Sequence, residues 1–262
     1  MRRRDAAPRY TDAVEHRQGP PRVSVVVPTL NEAKNLPYVF SLLPDDVHEV
    51  IVVDGRSVDD TVEVARALRP DVRIVLQNRR GKGNAMACGF AAVTGDVVVM
   101  LDADGSADPR EIPRYVAALV DGADFAKGTR FANGGGSSDI TRMRAWGNRR
   151  LNAVANALFG TRYSDLCYGY NAFWRDCLQF IQVDVSGFEV ETRLMMTVAT
   201  AGLAMVEVPS WEYNRVHGVS NLNAVRDGLR VLRSIATTTM EVRRGKASVR
   251  CRPIRPQQGI IP

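Results

Sequence analysis

The stretch Val97-Val98-Val99-Met100-Leu101-Asp102-Ala103-Asp104 runs five apolar residues directly into two carboxylates. A continuous apolar run is typical of a strand that is covered on both faces. Carboxylates are rarely buried without a partner, so this strand should end at a cleft. Two acids one residue apart at a strand end suit a hard divalent cation that also binds substrate phosphates, although a solvated turn would carry the same pair.

Apolar runs that end in polar residues recur on both sides of this stretch. Further strands are predicted at residues 23–27, 50–53, 72–76 and 123–126. Helices are predicted over about ten residues after Glu32, after a cap at Ser57, over residues 85–93, and after a cap at Asp108 followed by Pro109. Strands that alternate with helices over short links predict an α/β fold, a parallel sheet with helices on both faces.

Ligand-binding side chains are expected along the carboxyl edge of this sheet, because α/β sheets bind ligands outside the carboxyl ends of their strands. Asp54 follows the second predicted strand, residues 81–83 follow the third, and Asp102 and Asp104 follow the fourth. These groups are far apart in the sequence, yet the topology should bring them together.

The second half of the chain is less regular. The glycine-rich residues 133–138 are expected to form a flexible loop, either a lid over the substrate or a disordered linker. Helices are predicted at residues 141–159, 187–201 and 219–242, and a strand at residues 203–208. The last helix has an apolar stripe, expected to pack on the core, with a helix lying in a membrane interface as the alternative. The stripe consists of Leu222, Val225, Leu229, Leu232, Ile235 and Met240.

The composition, 45% hydrophobic and 24% charged over 262 residues, is that of an ordinary globular protein. No apolar run approaches the roughly 18 residues that cross a bilayer, and no secretory signal follows the basic start. The four cysteines lack Cys-x-x-Cys spacing, which favours reduced thiols in the cytoplasm and no zinc site.

The net charge of +6 is concentrated at the carboxyl-terminal end. Residues 243–262 hold six basic residues and no acid, so the remainder of the chain is close to neutral. This distribution disfavours a nucleic-acid partner, which needs a basic stripe on the folded surface. The tail is either a solvated end or a contact with an anionic membrane surface. Residues 1–21 are expected to form a flexible arm, followed by one domain at residues 22–242.

Four ordered motifs carry a family resemblance. They are Val25-Val26-Val27-Pro28-Thr29-Leu30-Asn31-Glu32, Val53-Asp54-Gly55-Arg56-Ser57-Val58-Asp59-Asp60-Thr61, Gly81-Lys82-Gly83 and Leu101-Asp102-Ala103-Asp104. Together they resemble the family 2 glycosyltransferases of the GT-A fold, and especially the polyprenyl-phosphate sugar synthases of the dolichyl-phosphate mannose synthase type. The resemblance covers about residues 23–221, and Gly105 stands where the mannose synthases usually carry a bulkier residue.

This resemblance implies a Rossmann-like, mixed and mainly parallel sheet, with a nucleotide-sugar half at residues 22–130 and an acceptor half at residues 131–242. It implies Mg²⁺ or Mn²⁺ as the cofactor, held by Asp102 and Asp104, and leaves UDP and GDP donors both open. The implied donor-binding residues are Pro28, Thr29, Glu32, Asp54, Lys82, Asp102, Ala103, Asp104, Arg130 and Arg215.

The acceptor determines which further residues take part in the chemistry. Sugar transfer leaves negative charge on the departing phosphate, which a cation and nearby basic groups stabilise, so Asp104 and Arg215 are catalytic candidates. A hydroxyl acceptor needs a general base, for which Glu189 and Glu191 are the candidates. A phosphate acceptor is already ionised, and Arg142, Arg144 and Arg149 would then bind it.

The leading hypothesis is an inverting, metal-dependent glycosyltransferase that acts on a polyprenyl phosphate as a peripheral protein at the cytoplasmic membrane face. The alternatives are the same donor chemistry on a soluble hydroxyl acceptor, and a catalytically silent nucleotide-sugar-binding or membrane-adaptor protein. The intact pair of Asp102 and Asp104 argues against silence. A nucleotidyltransferase is disfavoured, because residues 28–32 replace the glycine-rich phosphate loop after the first strand.

Overall fold

The computed structural model of the chain describes residues 19–181, 183, 185, 187–218 and 224–244. The predictions made for residues 1–18, for the tail beyond Arg244, and for Leu222 lie outside these residues. The side chain of Val225 is likewise outside the description.

The secondary structure alternates between strands and helices as far as residue 129 and is mixed after it. The strands are β1 Val23–Thr29, β2 Glu49–Asp54, β3 Arg73–Leu76, β4 Val97–Met100, β5 Phe125–Thr129, β6 Gly136–Ser137, β7 Asn171–Trp174, β8 Met205–Pro209 and β9 Trp211–Glu212. The helices are α1 Leu36–Ser41, α2 Thr61–Leu68, α3 Lys82–Ala92, α4 Ile112–Val120, α5 Arg142–Phe159, α6 Val190–Ala201 and α7 Ala224–Arg243. Short 3₁₀ turns lie at Pro109–Glu111 and Arg175–Gln179.

Seven strands form one sheet in the order β3-β2-β1-β4-β7-β5-β8, with helices around it. All neighbouring strands are parallel except β7, which is antiparallel to both β4 and β5. This confirms the predicted α/β class with a mixed, mainly parallel sheet. The sequence analysis did not predict β7. Its four residues are all buried, so apolar and polar positions do not alternate along it.

The central strands are buried on both faces, as their apolar runs predicted. The side chains of Val25, Val26 and Val27 in β1 and of Val97 to Val99 in β4 are fully buried. Glu49 ties their amino-terminal ends together, because its carboxylate accepts hydrogen bonds from Ser24, Thr94 and Arg73. Burial alone would raise the pKa of Glu49, but these donors outweigh it and lower the pKa to about 2.

Three local predictions in the two halves differ from the structure. The helix after Glu32 is only six residues long, from Leu36 to Ser41. Ser57 does not cap a helix: its hydroxyl accepts the Asn31 amide in a loop, and α2 begins at Thr61. The glycine-rich residues 133–138 do not form a free loop, because β6 pairs in parallel with β9 in a second, two-stranded sheet.

The cap predicted at Asp108 is confirmed, and the helix predicted over residues 141–159 begins with a cap at Thr141. The Asp108 carboxylate accepts the Arg110 amide at 2.9 Å, and Pro109 begins the 3₁₀ turn that precedes α4. Thr141 caps α5 through the Arg144 amide at 3.2 Å, and Gly160 ends that helix with φ of 65°.

The apolar stripe predicted for the last helix is only partly the buried one. In α7, Val231 and Ile235 are buried, and with them the polar Asp227, Ser234 and Thr238. The predicted stripe residues Leu229, Leu232 and Met240 are exposed instead. The helix therefore presents apolar side chains to the outside as well as to the core.

Gly89 lets α3 approach the sheet closely. A Cβ atom at this position would lie 2.4 Å from Val26 Cγ1 in β1 and 3.0 Å from Val53 Cγ2 in β2. Because both valines lie in fully buried strands, neither can move away without disturbing the core.

We predict that Gly89→Ala lowers the free energy of unfolding by about 1–3 kcal/mol, the usual cost of overpacking a core. Gly147→Ala is the matched control, since a Cβ there meets nothing within 4 Å in the middle of α5. The control should stabilise the protein by about 0.5–1 kcal/mol through helix propensity. Urea denaturation measures both, and equal stabilities would contradict the close-packing account.

Candidate active site

A cavity of about 1000 Å³ opens at the carboxyl edge of the large sheet. Most of the predicted site residues line it: Pro28, Thr29, Glu32, Lys82, Asp102, Ala103, Asp104, Arg130, Arg144, Glu191 and Arg215. Asp54, Arg142, Arg149 and Glu189 are not part of its lining. The expected convergence is therefore observed for Lys82, Asp102 and Asp104, whereas Asp54 lies beside the cavity and only its neighbour Gly55 lines it.

Lys82 is held between two carboxylates at the cavity floor. It is the first residue of α3, and its ammonium lies 2.7 Å and 2.9 Å from the two oxygens of Asp102 and 2.7 Å from Glu191 Oε1. Burial alone would lower the pKa of Lys82, but the two carboxylates outweigh it and raise the pKa. A cation at a helix amino terminus opposes the helix dipole, so these carboxylates are what hold Lys82 in place.

Arg215 makes a second set of ion pairs beside the first. Its guanidinium lies 3.1 Å from Glu32 Oε1 and 3.3 Å from Asp104 Oδ2. The other oxygen of Asp104 accepts hydrogen bonds from the Ser106 amide at 3.0 Å and hydroxyl at 2.7 Å. Burial raises the pKa of Glu32, although Asn35 and Arg215 oppose that effect. We call Glu32, Lys82, Asp102, Asp104, Glu191 and Arg215 the donor cluster.

The loop that carries Arg215 packs against the segment after Asp104. The Val216 amide donates to the Asp104 carbonyl at 3.1 Å, and the Tyr213 amide donates to the Ser106 carbonyl at 2.8 Å. Gly105 has φ of 76°, and a Cβ there would lie 2.7 Å from Val216 Cγ2. Gly105, the departure from the mannose-synthase pattern, therefore makes room for this loop.

Asp54 shapes the loop beside the cavity from a buried position. Its carboxylate accepts the Arg56 amide at 3.0 Å and the Ser57 amide at 3.2 Å. Arg56 has φ of 65°, a conformation that these hydrogen bonds support. Gly55, which does line the cavity, donates its amide to the Thr29 carbonyl at 2.8 Å.

Arg130 is fully engaged within the protein. Its guanidinium donates to Asp165 at 2.7 Å and 2.9 Å and to Glu212 at 3.0 Å and 3.1 Å. All three side chains are buried or nearly so. Burial alone would lower the pKa of Arg130, but the two carboxylates raise it. Arg130 thus joins the segment before β7 to β9, and its charge is already balanced without a phosphate.

Of the two acids proposed as general bases, only Glu191 faces the cavity. It lies in the first turn of α6 and is buried, and burial raises the pKa of its carboxyl group although Lys82 opposes this. Glu189 instead folds back onto its own segment, where it accepts the Gly187 amide at 3.2 Å.

The helix α5 separates the three predicted acceptor arginines. Arg144 lines the cavity and pairs with Asp139 at 2.8 Å. Arg142 and Arg149 lie on the opposite side of the helix, and Arg149 stacks over Phe131 at 5.8 Å. Arg150, which was not predicted as a site residue, lines the cavity and lies 5.2 Å from the Trp146 ring centroid. Arg150 is four residues after Trp146 and four before Val154, both of which line the cavity, so helical periodicity places it on the same side of α5.

Other lining residues were not among the predicted site residues. Gln77 follows β3, and Phe188 lies 6.0 Å from the Lys82 ammonium. Gly169 packs against the floor, where a Cβ would lie 2.7 Å from Asp102 Oδ2 and 3.0 Å from Lys82 Nζ. Gln77 directly follows β3, and this position at a strand end is the signal from which it could have been predicted.

Asp102 and Asp104 have the chemistry that a hard divalent cation needs. Both line the cavity, and their side chains are 33% and 20% exposed. Within the described part of the chain, no group of three or more acidic, histidine or cysteine side chains forms a complete cation cage. Two carboxylates nevertheless fit an ion that completes its coordination with phosphate oxygens and water.

The fold and this arrangement of charges define a GT-A glycosyltransferase. Residues 24–181 match the family described as glycosyl transferase family 2, to which the chain belongs. The family prediction and the prediction of an enzyme, a glycosyltransferase that uses a nucleotide-sugar, are thereby confirmed.

Two curated relatives resemble most of the chain. Glycosyltransferase AglJ of Haloferax volcanii is 32% identical over 80% of this chain and 69% of its own length. Polyprenol monophosphomannose synthase of Mycolicibacterium smegmatis is 34% identical over 77% of this chain and 81% of its own length.

Solved structures of glucosyl-3-phosphoglycerate synthase from Mycobacterium tuberculosis share the fold. One contains Mn²⁺, UDP and glucosyl-3-phosphoglycerate, and it aligns with a TM-score of 0.68 and 25% identity over 84% of this chain and 80% of that one. Another, with the same TM-score and coverage and 26% identity, contains Mn²⁺, UDP-glucose and phosphoglyceric acid.

None of the helices in the described part of the chain combines the length and the apolar character that crossing a bilayer requires.

We predict that Arg130→Met lowers the free energy of unfolding by about 3–5 kcal/mol, because it leaves the buried Asp165 carboxylate without its cation. Arg149→Met is the control, since it removes the same charge from a stacked surface position. Thermal and urea unfolding compare the two variants. A stable Arg130→Met protein that had lost only nucleotide affinity would instead assign Arg130 to phosphate binding.

Proposed function

We propose that the protein transfers a sugar, with inversion, from a UDP- or GDP-sugar to a polyprenyl phosphate. The observation that carries this proposal is one continuous cavity, polar where it meets the donor cluster and apolar where it runs between α5 and α7. A polyprenyl phosphate has the same division into a charged head and an apolar chain.

The charge of the donor cluster favours a divalent cation. With all six groups ionised, it holds four carboxylates and two cations, a formal charge of −2. A diphosphate brings further negative charge and would be repelled by this cluster alone. Asp102 and Asp104 would hold Mg²⁺ or Mn²⁺, which when bound supplies charge stabilisation to the departing diphosphate.

Arg215 and the residues on the nucleoside side of the cavity have distinct roles in this proposal. Arg215 is close enough to Asp104 to bind the same diphosphate, and the packing of its loop against Gly105 fixes it there. Pro28, Thr29 and Gly55 line the side of the cavity where the nucleoside would lie, with Asp54 shaping that loop. Preorganised charges of this kind stabilise the transition state without rearrangement.

The apolar groove consists of Met143, Trp146, Leu151 and Val154 of α5 and Leu229 and Leu232 of α7. Trp146 is 59% and Leu229 62% exposed, which is unusual for large apolar side chains that form a contiguous surface. Arg144 and Arg150 lie along the same lining. They would bind the acceptor phosphate, and the groove would bind the first isoprene units. The protein would then work at the cytoplasmic face of a membrane, with the groove directed to the lipid.

The reaction needs no general base with this acceptor. An oxygen of the ionised phosphate forms a bond to the anomeric carbon, the bond from that carbon to the diphosphate breaks, and its electron pair leaves with the diphosphate. One direct displacement inverts the anomeric centre. Glu191 need not remove a proton, which agrees with its ion pair to Lys82 at 2.7 Å.

A soluble acceptor is the second candidate. The similarity to glucosyl-3-phosphoglycerate synthase, whose structures contain phosphoglyceric acid, favours it. In that case a hydroxyl group would attack, and Glu191 would have to accept its proton after release from Lys82. The exposed apolar groove would then have no part in acceptor binding.

The donor proposal predicts a metal-dependent thermal shift. With Mn²⁺ and the correct UDP- or GDP-sugar at about 100 times its Kd, the free energy of unfolding should rise by about 2.7 kcal/mol. Asp104→Ala should abolish the metal-dependent part of that shift, while Asp108→Ala, which removes an acid outside the cavity, should preserve it. A full shift in Asp104→Ala would refute the assignment of the metal.

The acceptor proposal predicts that Leu229→Ser combined with Leu232→Ser raises the KM for a polyprenyl phosphate by about tenfold or more, because two apolar contacts are lost. The thermal shift with the donor should not change. Val120→Ser, at a comparably exposed site remote from the cavity, is the control. Sugar transfer to 3-phosphoglycerate but not to polyprenyl phosphate would favour the soluble acceptor and overturn this proposal.

A further inference from the structure

The ammonium of Lys82 already occupies the place at Asp102 that a metal cation would take. It contacts both oxygens of the Asp102 carboxylate, at 2.7 Å and 2.9 Å, and this carboxylate is the one that would bind a metal ion. The third contact, to Glu191 at 2.7 Å, fixes the ammonium from the opposite side. The side chain of Lys82 is only 14% exposed.

Gly169, Phe188 and the amino terminus of α3 surround the ammonium of Lys82. The Gly169 backbone closes one side, where any larger residue would meet both Lys82 Nζ and Asp102. Phe188 lies 6.0 Å away, within the range of a cation–π contact. Lys82 also stands at the amino terminus of α3, where a cation is locally unfavourable, so the contacts with the carboxylates have to outweigh that position.

A divalent ion must compete with this ammonium. Hard cations bind through carboxylate oxygens, and both oxygens of Asp102 are already in contact with Lys82. The ion would also be repelled by a positive charge a few ångströms away. A diphosphate changes this balance, because its oxygens offer the displaced ammonium a new partner and offer the ion further ligands.

We propose that Lys82 is a positioning residue. Its ammonium fills the cation position at Asp102 until the nucleotide-sugar donor arrives, so that the metal ion and the nucleotide bind together. This inference rests on the proposed function. It assigns to Lys82 a role in the order of binding, which differs from that of a simple phosphate ligand. A phosphate ligand would strengthen nucleotide binding without affecting the ion alone.

The test measures Mn²⁺ binding from the electron paramagnetic resonance signal of the free ion, with and without UDP or GDP. Without nucleotide, Lys82→Met should bind Mn²⁺ at least about tenfold more tightly than the wild type, since it removes a charge adjacent to Asp102. The factor by which the nucleotide tightens Mn²⁺ binding should fall correspondingly, because coupling between two ligands is reciprocal.

Two controls isolate the competition at Asp102. Arg80→Met removes an exposed charge from the same loop and should leave Mn²⁺ binding as in the wild type. Glu191→Gln keeps Lys82 on Asp102, and Mn²⁺ should then bind without nucleotide no more tightly than to the wild type. If Lys82→Met does not fold because Glu191 is left buried without its cation, the double variant Lys82→Met with Glu191→Gln should show the same tighter binding.

The outcomes separate the two proposals. If a nucleotide tightens Mn²⁺ binding to the wild type but Lys82→Met, or the double variant, binds the ion no more tightly, only the role of Lys82 is overturned. If neither UDP nor GDP affects Mn²⁺ binding to the wild type, the proposed metal-dependent donor site fails, and this inference with it.

Discussion

The parallel pairing of β1 with β2 and with β4 is the constraint on which the site depends. It sets Thr29 beside Asp54 and lets β4 end at the same edge, where Asp102 and Asp104 follow. Backbone hydrogen bonds between fully buried valine strands fix this edge far more firmly than surface contacts would. Polar groups that are far apart in sequence, such as Lys82 and Asp102, are thereby brought within ion-pair distance of each other.

The same fold uses ion pairs in two different ways. Around Arg130, one guanidinium meets two buried carboxylates, every contact is short, and the result joins separate segments of the chain. Carboxylates outnumber cations two to one in the donor cluster as well, but there Asp102 and Asp104 remain partly open to the cavity. The first arrangement is closed to solvent, whereas the second leaves negative charge within reach of a ligand.

Much of the first half of the fold could be predicted from sequence, because buried parallel strands have a distinct apolar pattern and their polar ends mark the binding edge. Asp102, Asp104 and the segment 81–83 that holds Lys82 were placed at the cavity in this way, whereas Arg215 was named only because of the family resemblance. Strand β7 escaped, since four buried residues without alternation look like many other apolar segments. The bonding of Arg130 could not be predicted either, because its partners Asp165 and Glu212 are distant in sequence and belong to no recognised motif.

The groove between α5 and α7 is open along its side, as the exposure of Trp146 and Leu229 shows. A closed tunnel limits the chain length of its ligand, because the end wall excludes longer chains. An open groove has no such wall and contacts only the part of a ligand that lies nearest the charged end. Selectivity in this protein would therefore reside in the head group, and chains of very different lengths would be accepted alike.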